Sequence, residues 1–293
     1  MTLATKTRLD VRPLTKYIGA EIRGVDMRRP MDRATRDAVH DAWMKHLVVV
    51  FPDQRVTDQE HVAFTRHFGE PEIFHQTSLA LRSDRVKEIF LVSNVDENDR
   101  LLPPSDRGQK QLSSSRQWHT DSSYRAMPSV GSLLHGIEIS RTGGITQFIN
   151  MYMVYDELPD ALRRQVEGRK ARHDFAMLSR LTGAPAPSGA ERAAVPPVWH
   201  PMVRRHPVTG RKCLFVNESF TRAIIGMDEA QSAPLLALLF AHLKDPRFIY
   251  RHRWCVGDVL TWDNCATQHI ATFDYGTRRR LMHRVGITGG VPV

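Results

Sequence analysis

The chain has 293 residues, 41% of them hydrophobic and 25% charged, with a formal net charge of +9. No segment approaches the run of about 18 apolar residues that a membrane helix requires, which excludes a membrane span. The three cysteines, Cys213, Cys255 and Cys265, are odd in number and follow no CxxC spacing, which argues against a disulfide framework and a zinc knuckle and for reduced thiols.

The first fourteen residues carry charges where a signal peptide needs its apolar stretch, so a cytoplasmic location is expected. Basic residues fall in short clusters (Arg28-Arg29, Arg204-Arg205, Arg211-Lys212, Arg278-Arg279-Arg280) with acidic residues between them. That distribution points to small anionic ligands rather than to nucleic acid, whose binding proteins carry a basic stripe or tail.

In chain order, a strand is expected around Leu9 to Pro13, then a turn through Gly19. Apolar residues at Ala34, Val39, Ala42 and Trp43 mark an amphipathic helix over Asp32 to His46, followed by an apolar strand from Leu47 to Phe51. A second helix is predicted over Thr57 to Phe68, opened by Thr57 or Asp58 and stopped by Gly69. From Ser93 to Gln117 the chain is polar, aperiodic and rich in Pro, Gly and Ser, and it reads as a long loop. Short strands follow over 130–139, 146–149, 213–216, 248–254, 258–262 and 281–287, with helices over 161–166 and 231–243. The Pro- and Ala-rich stretch 184–197 reads as another loop. With no repeat and no compositional boundary, the reading is one domain over 1–293, mainly β, a sandwich or barrel with helices outside.

Trp118-His119-Thr120-Asp121 places an imidazole and a carboxylate two positions apart, so that on a strand both face the same way. A lone His-x-Asp in a chain with 14 histidines is weak evidence, because a hydrogen-bonded surface pair gives the same pattern. Two His and one carboxylate, however, form the facial triad of non-haem Fe(II) oxygenases, and a further cluster lies near the C-terminus: Trp262-Asp263-Asn264, then His269, then Arg280 eleven residues on, with His283 and Arg284.

Together with Gly143-Gly144-Ile145-Thr146, these elements occur in the order WHxD, GGxT, WDNxxxxH, Arg. In this the chain resembles the taurine dioxygenase and 2,4-dichlorophenoxyacetate dioxygenase family of 2-oxoglutarate-dependent oxygenases. Gly19-Ala20-Glu21-Ile22, Gly24-Val25-Asp26 and Phe64 to Gly69 resemble the family's N-terminal segments, so the likeness spans nearly the whole chain.

The resemblance implies a double-stranded β-helix (jelly-roll) core with flanking helices, and Fe(II), 2-oxoglutarate and O2 as requirements. It implies His119, Asp121 and His269 as metal ligands and catalytic centre, Arg280 and Thr146 as holders of the far carboxylate of 2-oxoglutarate, and Arg284 as a second arginine for the co-substrate or the substrate anion. His75, Asn94 and Tyr124 are substrate-pocket candidates. Ile145 departs from the family's more usual GGDT and should alter a local contact rather than the metal chemistry.

The activity implied is hydroxylation of a C–H bond of a small organic anion, aryloxyalkanoate- or sulfonate-like, with release of succinate and CO2; where the carbon bears a heteroatom, the product loses it. Residues 195–197, the HPVTGRK stretch of 206–212 and residues 248–254 resemble the phenoxyacetate-cleaving branch, whereas Arg280 to Arg284 resembles the taurine branch. A homo-oligomer is implied, with no nucleic-acid or membrane partner. The alternatives are a same-fold oxygenase acting on an amino acid or biosynthetic intermediate and, from another class, a non-catalytic anion-binding protein, which would be expected to lose a metal ligand.

Overall fold

A computed structural model describes residues 9–73, 82–177, 179 and 186–293. Its strands in chain order are β1 (Asp10–Pro13), β2 (Ala20–Arg23), β3 (Val48–Phe51), β4 (Phe90–Leu91), β5 (Gly131–Glu138), β6 (Thr146–Asn150), β7 (Lys170–His173), β8 (Val198–Pro201), β9 (Val203–Arg205), β10 (Lys212–Leu214), β11 (Thr221–Ile224), β12 (Ile249–His252), β13 (Val259–Asp263), β14 (Thr267–Ala271) and β15 (Leu281–Ile287). The helices are α1 (Arg33–His46), α2 (Asp58–Thr65), α3 (Arg107–Leu112), α4 (Met151–Asp156), α5 (Asp160–Val166), α6 (Gly189–Ala194) and α7 (Glu229–His242).

A seven-stranded sheet runs β1-β2-β3-β13-β5-β15-β4, and a three-stranded sheet runs β12-β6-β14. Two smaller sheets, β11-β7-β8 and β10-β9, complete the strands. The hydrophobic pattern explains the layering. In β3, Val48 and Val50 join one core cluster with Phe148, Tyr250, Leu260 and Trp262, while Val49 and Phe51 join another with Val39, Ala42, Trp43 and Phe64. All four residues of this strand are buried because both faces of the large sheet are covered, one by the small sheet and the other by α1 and α2. Two β layers closing over one core form the expected jelly roll.

The helices start where the sequence places capping side chains. Asp32 accepts the Thr35 N–H, and Thr57 and Glu60 form a reciprocal capping box at α2. α2 ends at Thr65, earlier than the predicted Phe68.

Two expected loops contain helix. In 93–117 the Asp106 carboxylate accepts the N–H groups of Gly108 and Gln109 and opens α3, which runs into a 3-10 turn over Ser113–Arg116. In 184–197 Ser188 and Glu191 form a capping box for α6. Both helices are six residues long, too short to show a hydrophobic period, so only the caps could have revealed them. Strands β2, β4, β7, β8, β9, β11 and β14 were also unforeseen.

β15 has two functional faces. Met282 packs in the inner core, whereas Val285 meets Val62 of α2 on the outside. On that outer side His283 Nδ1 lies 2.7 Å from Asp58 Oδ1. His61 is fully buried with neither ring nitrogen hydrogen-bonded, its ring 6.0 Å from that of His135. Burial, aided by His135, pushes the His61 imidazole down to about 3.

Its acid sensitivity follows. Between pH 6.5 and about 3 the unfolded imidazole takes up a proton that the folded one refuses, so this contribution to stability is full above 6.5 and is lost as pH falls. Urea unfolding should show His61→Leu gaining about 2 kcal/mol on the wild type between pH 7 and pH 5; equal losses in the two proteins would contradict the assignment.

Candidate metal centre

His119 and Asp121 do not lie on a regular strand, contrary to the sequence expectation. His119 makes an isolated antiparallel bridge with His269 of β14, and the chain then enters a turn in which Ser122 has φ +51. The bridge donates the His119 N–H to His269 O (3.1 Å) and the His269 N–H to His119 O (2.9 Å). Two residues paired in this way carry their side chains side by side, and the imidazole centroids are 4.1 Å apart. The turn then brings Asp121 to the same point, His119 Nε2 lying 3.8 Å from Asp121 Oδ1. One donor atom from each of His119, Asp121 and His269 lies within 4.8 Å of the others, and all three residues are buried.

The protonation states suit a cation. Burial lowers the His119 imidazole, and burial with neighbouring His119 takes His269 well below its usual value, so both rings are neutral at pH 7. His119 Nδ1 lies 2.9 Å from Gln117 O, which places its proton there and leaves Nε2 with a lone pair. His269 Nδ1 is buried with no hydrogen-bond partner among the described residues. Burial alone would raise the Asp121 carboxyl, but Arg284, His269 and His119 overcome it and bring it to about 2. Two neutral imidazoles and an ionised carboxylate are an N2O donor set.

Asp121 is held at both ends. Arg284 Nη1 donates to Oδ1 at 2.7 Å and Ser132 Oγ to Oδ2 at 3.4 Å. Its backbone is clamped by Asn264, whose Oδ1 accepts the Asp121 N–H and whose Nδ2 donates to Asp121 O and Ser129 O. Phe148 and Trp262 pack at 5.8 and 4.9 Å from the His269 ring.

Arg280, from the same C-terminal stretch as Arg284, is 3% exposed. Its guanidinium lies 5.5 Å from the centre of the Tyr275 ring, and among the described residues no carboxylate pairs with it. Burial lowers its pKa. Gly143 and Gly144 both have positive φ, and a Cβ on Gly144 would sit 3.4 Å from Arg280 Nε, so the glycine turn hugs the cation. Gly144 N–H donates to Asp274 Oδ1 at 2.7 Å, and Ile145 O accepts from Thr272. Thr146 is buried, its Oγ1 accepting the Trp254 Nε1–H at 2.9 Å. On β6 Thr146 and Phe148 share a face by alternation, and Phe148 is paired with His269 across to β14.

Of the remaining candidates, Asn94 spends its side-chain amide on the backbone of the β15 approach, donating to Arg278 O and accepting the Arg280 N–H. Tyr124 packs between Phe175 and Phe220, tilted and edge-on with centroids 4.8 Å from each, and burial pushes its phenol up to about 12. His75 lies outside the described residues. Asn264, Ser132, Gln117, Trp254 and Tyr275 were not singled out from sequence. Asn264 lies within the WDNxxxxH motif and Trp254 within the 248–254 stretch; no motif marks the others.

The profile of the family described as "Taurine catabolism dioxygenase TauD, TfdA family" matches residues 10–285. The chain belongs to this family. It is 36% identical to the alpha-ketoglutarate-dependent sulfate ester dioxygenase of Pseudomonas putida, over 97% of this chain and 91% of that protein. It is 32% identical to the alpha-ketoglutarate-dependent 2,4-dichlorophenoxyacetate dioxygenase of Cupriavidus pinatubonensis, over 92% and 94% of the two. A crystal structure of AAD-2 in complex with Mn(II) and N-oxalylglycine has a TM-score of 0.87 at 29% identity, covering 97% of this chain and 98% of that one. A taurine dioxygenase from Burkholderia xenovorans has a TM-score of 0.80 at 34% identity, covering 97% and 91%. The chain is a 2-oxoglutarate-dependent dioxygenase, and Fe(II), 2-oxoglutarate and O2 are the family's requirements.

Because Asn264 makes three hydrogen bonds to buried backbone groups, Asn264→Ala should cost roughly 3–5 kcal/mol in urea unfolding. A loss of less than about 1 kcal/mol would mean the clamp is replaceable by water.

Proposed function

We propose that His119, Asp121 and His269 hold the Fe(II) and that Arg280 with Thr146 takes the far carboxylate of 2-oxoglutarate. The observation that carries the reading is a converged N2O donor set together with a buried guanidinium that has no carboxylate partner among the described residues. A buried cation left unpaired is costly, whereas a dicarboxylate reaching it supplies the bidentate charge-assisted contact that Arg geometry favours. Bound there, Fe(II) and 2-oxoglutarate supply the oxygen activation, with oxidative decarboxylation to succinate and CO2.

The chain's own residues do the rest. His119 and His269 present neutral nitrogens, and Asp121 supplies the one anionic donor. With only three protein donors, a metal held here would keep room for the co-substrate and oxygen. Phe148 and Trp262 beside His269 keep water away from the reacting centre. Arg284 neutralises Asp121 until an incoming anion draws on it. We assign Asn94 to positioning Arg280 and leave Tyr124 as an aromatic wall of the substrate side. The site draws on residues from 94 to 284, and one sheet joins β1 to β15; both favour reading the chain as one catalytic domain.

The substrate we propose is a small organic anion, sulfate ester-, sulfonate- or aryloxyalkanoate-like. Fe(II) and dianionic 2-oxoglutarate cancel in charge. One carboxylate against two guanidiniums then leaves a net positive centre, which favours an anion beside it. The names of the relatives point the same way.

Anaerobic addition of Fe(II) and 2-oxoglutarate should give the weak visible charge-transfer band of the chelate. It should be absent in His119→Ala and should need about a hundredfold more 2-oxoglutarate in Arg280→Ala. No band from folded, iron-bound protein would refute the co-substrate site. Succinate release against a panel of sulfate esters, sulfonates and aryloxyalkanoates should then find the substrate. With it, Arg284→Ala should raise the KM of substrate or of 2-oxoglutarate at least about tenfold. Whichever rises identifies the anion Arg284 serves, and no change in either would remove it from the site.

A further inference from the structure

Three more titratable side chains lie behind the metal centre, unused by the proposed chemistry. His206, Asp263 and Cys265 are 3%, 1% and 3% exposed, and one donor atom from each lies within 4.8 Å of the others. Such a trio could be taken for a second cation site. Its hydrogen bonds argue otherwise.

His206 Nδ1 accepts the backbone N–H groups of Val208 and Thr209, each at 3.1 Å. The ring proton therefore sits on Nε2, 2.9 Å from Asp263 Oδ2 in a close polar contact that is not an aligned hydrogen bond. A nitrogen that carries the proton has no lone pair for an ion. Arg204, 4% exposed and 4.8 Å above the Phe215 ring, adds a positive charge near Cys265. Burial pushes the Cys265 thiol up to about 12, against the slight lowering by Arg204.

The contact matters because of what depends on Asp263. Its Oδ1 accepts the Cys265 N–H at 2.8 Å and its carbonyl accepts Thr267 Oγ1 at 2.7 Å, so this residue shapes the turn from β13 into β14. On that turn Asn264 clamps the Asp121 backbone, and two residues beyond Thr267 comes His269. His206 is itself fixed in the turn after β9, donating its N–H to Arg211 O and accepting that of Gly210. We infer that His206 and Asp263 are positioning residues, a buried strut that sets the spacing between Asp121 and His269 and thereby the affinity for the metal. This rests on the reading of those two as ligands.

The test is anaerobic titration of the full chain with Fe(II), and with Co(II) as a visible probe, in the wild type, His206→Gln, Asp263→Asn, Cys265→Ala and His119→Ala, each with circular dichroism and a Tm. The wild type should bind one equivalent. His206→Gln and Asp263→Asn should bind with a dissociation constant raised about ten- to a hundredfold while keeping the wild-type dichroism. Cys265→Ala, which empties volume in the same cluster without touching the strut, should lower the Tm and keep the wild-type dissociation constant.

If His206→Gln and Asp263→Asn lose Tm but bind metal as the wild type does, the pair is packing alone and the inference fails. A second equivalent in the wild type, lost in Cys265→Ala, would overturn it in favour of a cation site. Wild-type affinity in His119→Ala would instead sink the metal-centre reading on which it rests. Should Asp263→Asn fold poorly, His206→Gln decides.

Discussion

The antiparallel bridge between His119 and His269 is the constraint on which the site depends. Its two backbone hydrogen bonds join segments 150 residues apart in the chain and fix the imidazoles side by side before any side-chain interaction is considered. Asp121 cannot reach the same point by strand alternation, because the chain has left the bridge. It gets there through a turn with a left-handed residue, and that turn is stable because Asn264 satisfies the backbone groups it exposes. The triad is therefore a backbone arrangement first and a set of converging donor atoms second.

Electrostatics follow from the same compactness. Burial favours the neutral imidazoles and would raise the Asp121 carboxyl, were Arg284, His269 and His119 not beside it. Arg280, just before β15, lies over the Tyr275 ring and against Gly144, with no carboxylate partner among the described residues. A buried region with more guanidinium than carboxylate is poor design for stability. It makes sense if anions complete it, and the mechanism proposed above has two such anions.

How far was this legible in the sequence? The convergence of His119, Asp121 and His269 was, because WHxD and WDNxxxxH stand in order along the chain, and so was the layered β architecture with α1, α2, β5, β15 and α7 close to their observed bounds. The structure that supports them was not. Asn94 looks like a pocket residue on paper, but its amide is bound to the backbone around Arg280. Ser132 and Trp254 acquire their roles only through pairing with residues distant in the chain, whereas Gln117 acts through its backbone carbonyl, which no side-chain motif announces. The helices α3 and α6 are a single short turn or two, announced by Asp106 and Ser188 rather than by periodicity.

β15 shows why the two regions cannot be separated. Arg284 and Met282 face inward, while His283 and Val285 face α2, where Asp58 and the unpartnered His61 wait. A one-residue slip of this strand would move the guanidinium to α2 and an imidazole to the metal centre. The pairing of His283 with Asp58 on the outer face therefore fixes the register that aims Arg284 at Asp121 on the inner one. The bulge in pairing between Leu281 and Met282 lets Arg280 leave the strand's alternation and turn to the glycine pair. Packing on one side of the sheet thus sets chemistry on the other.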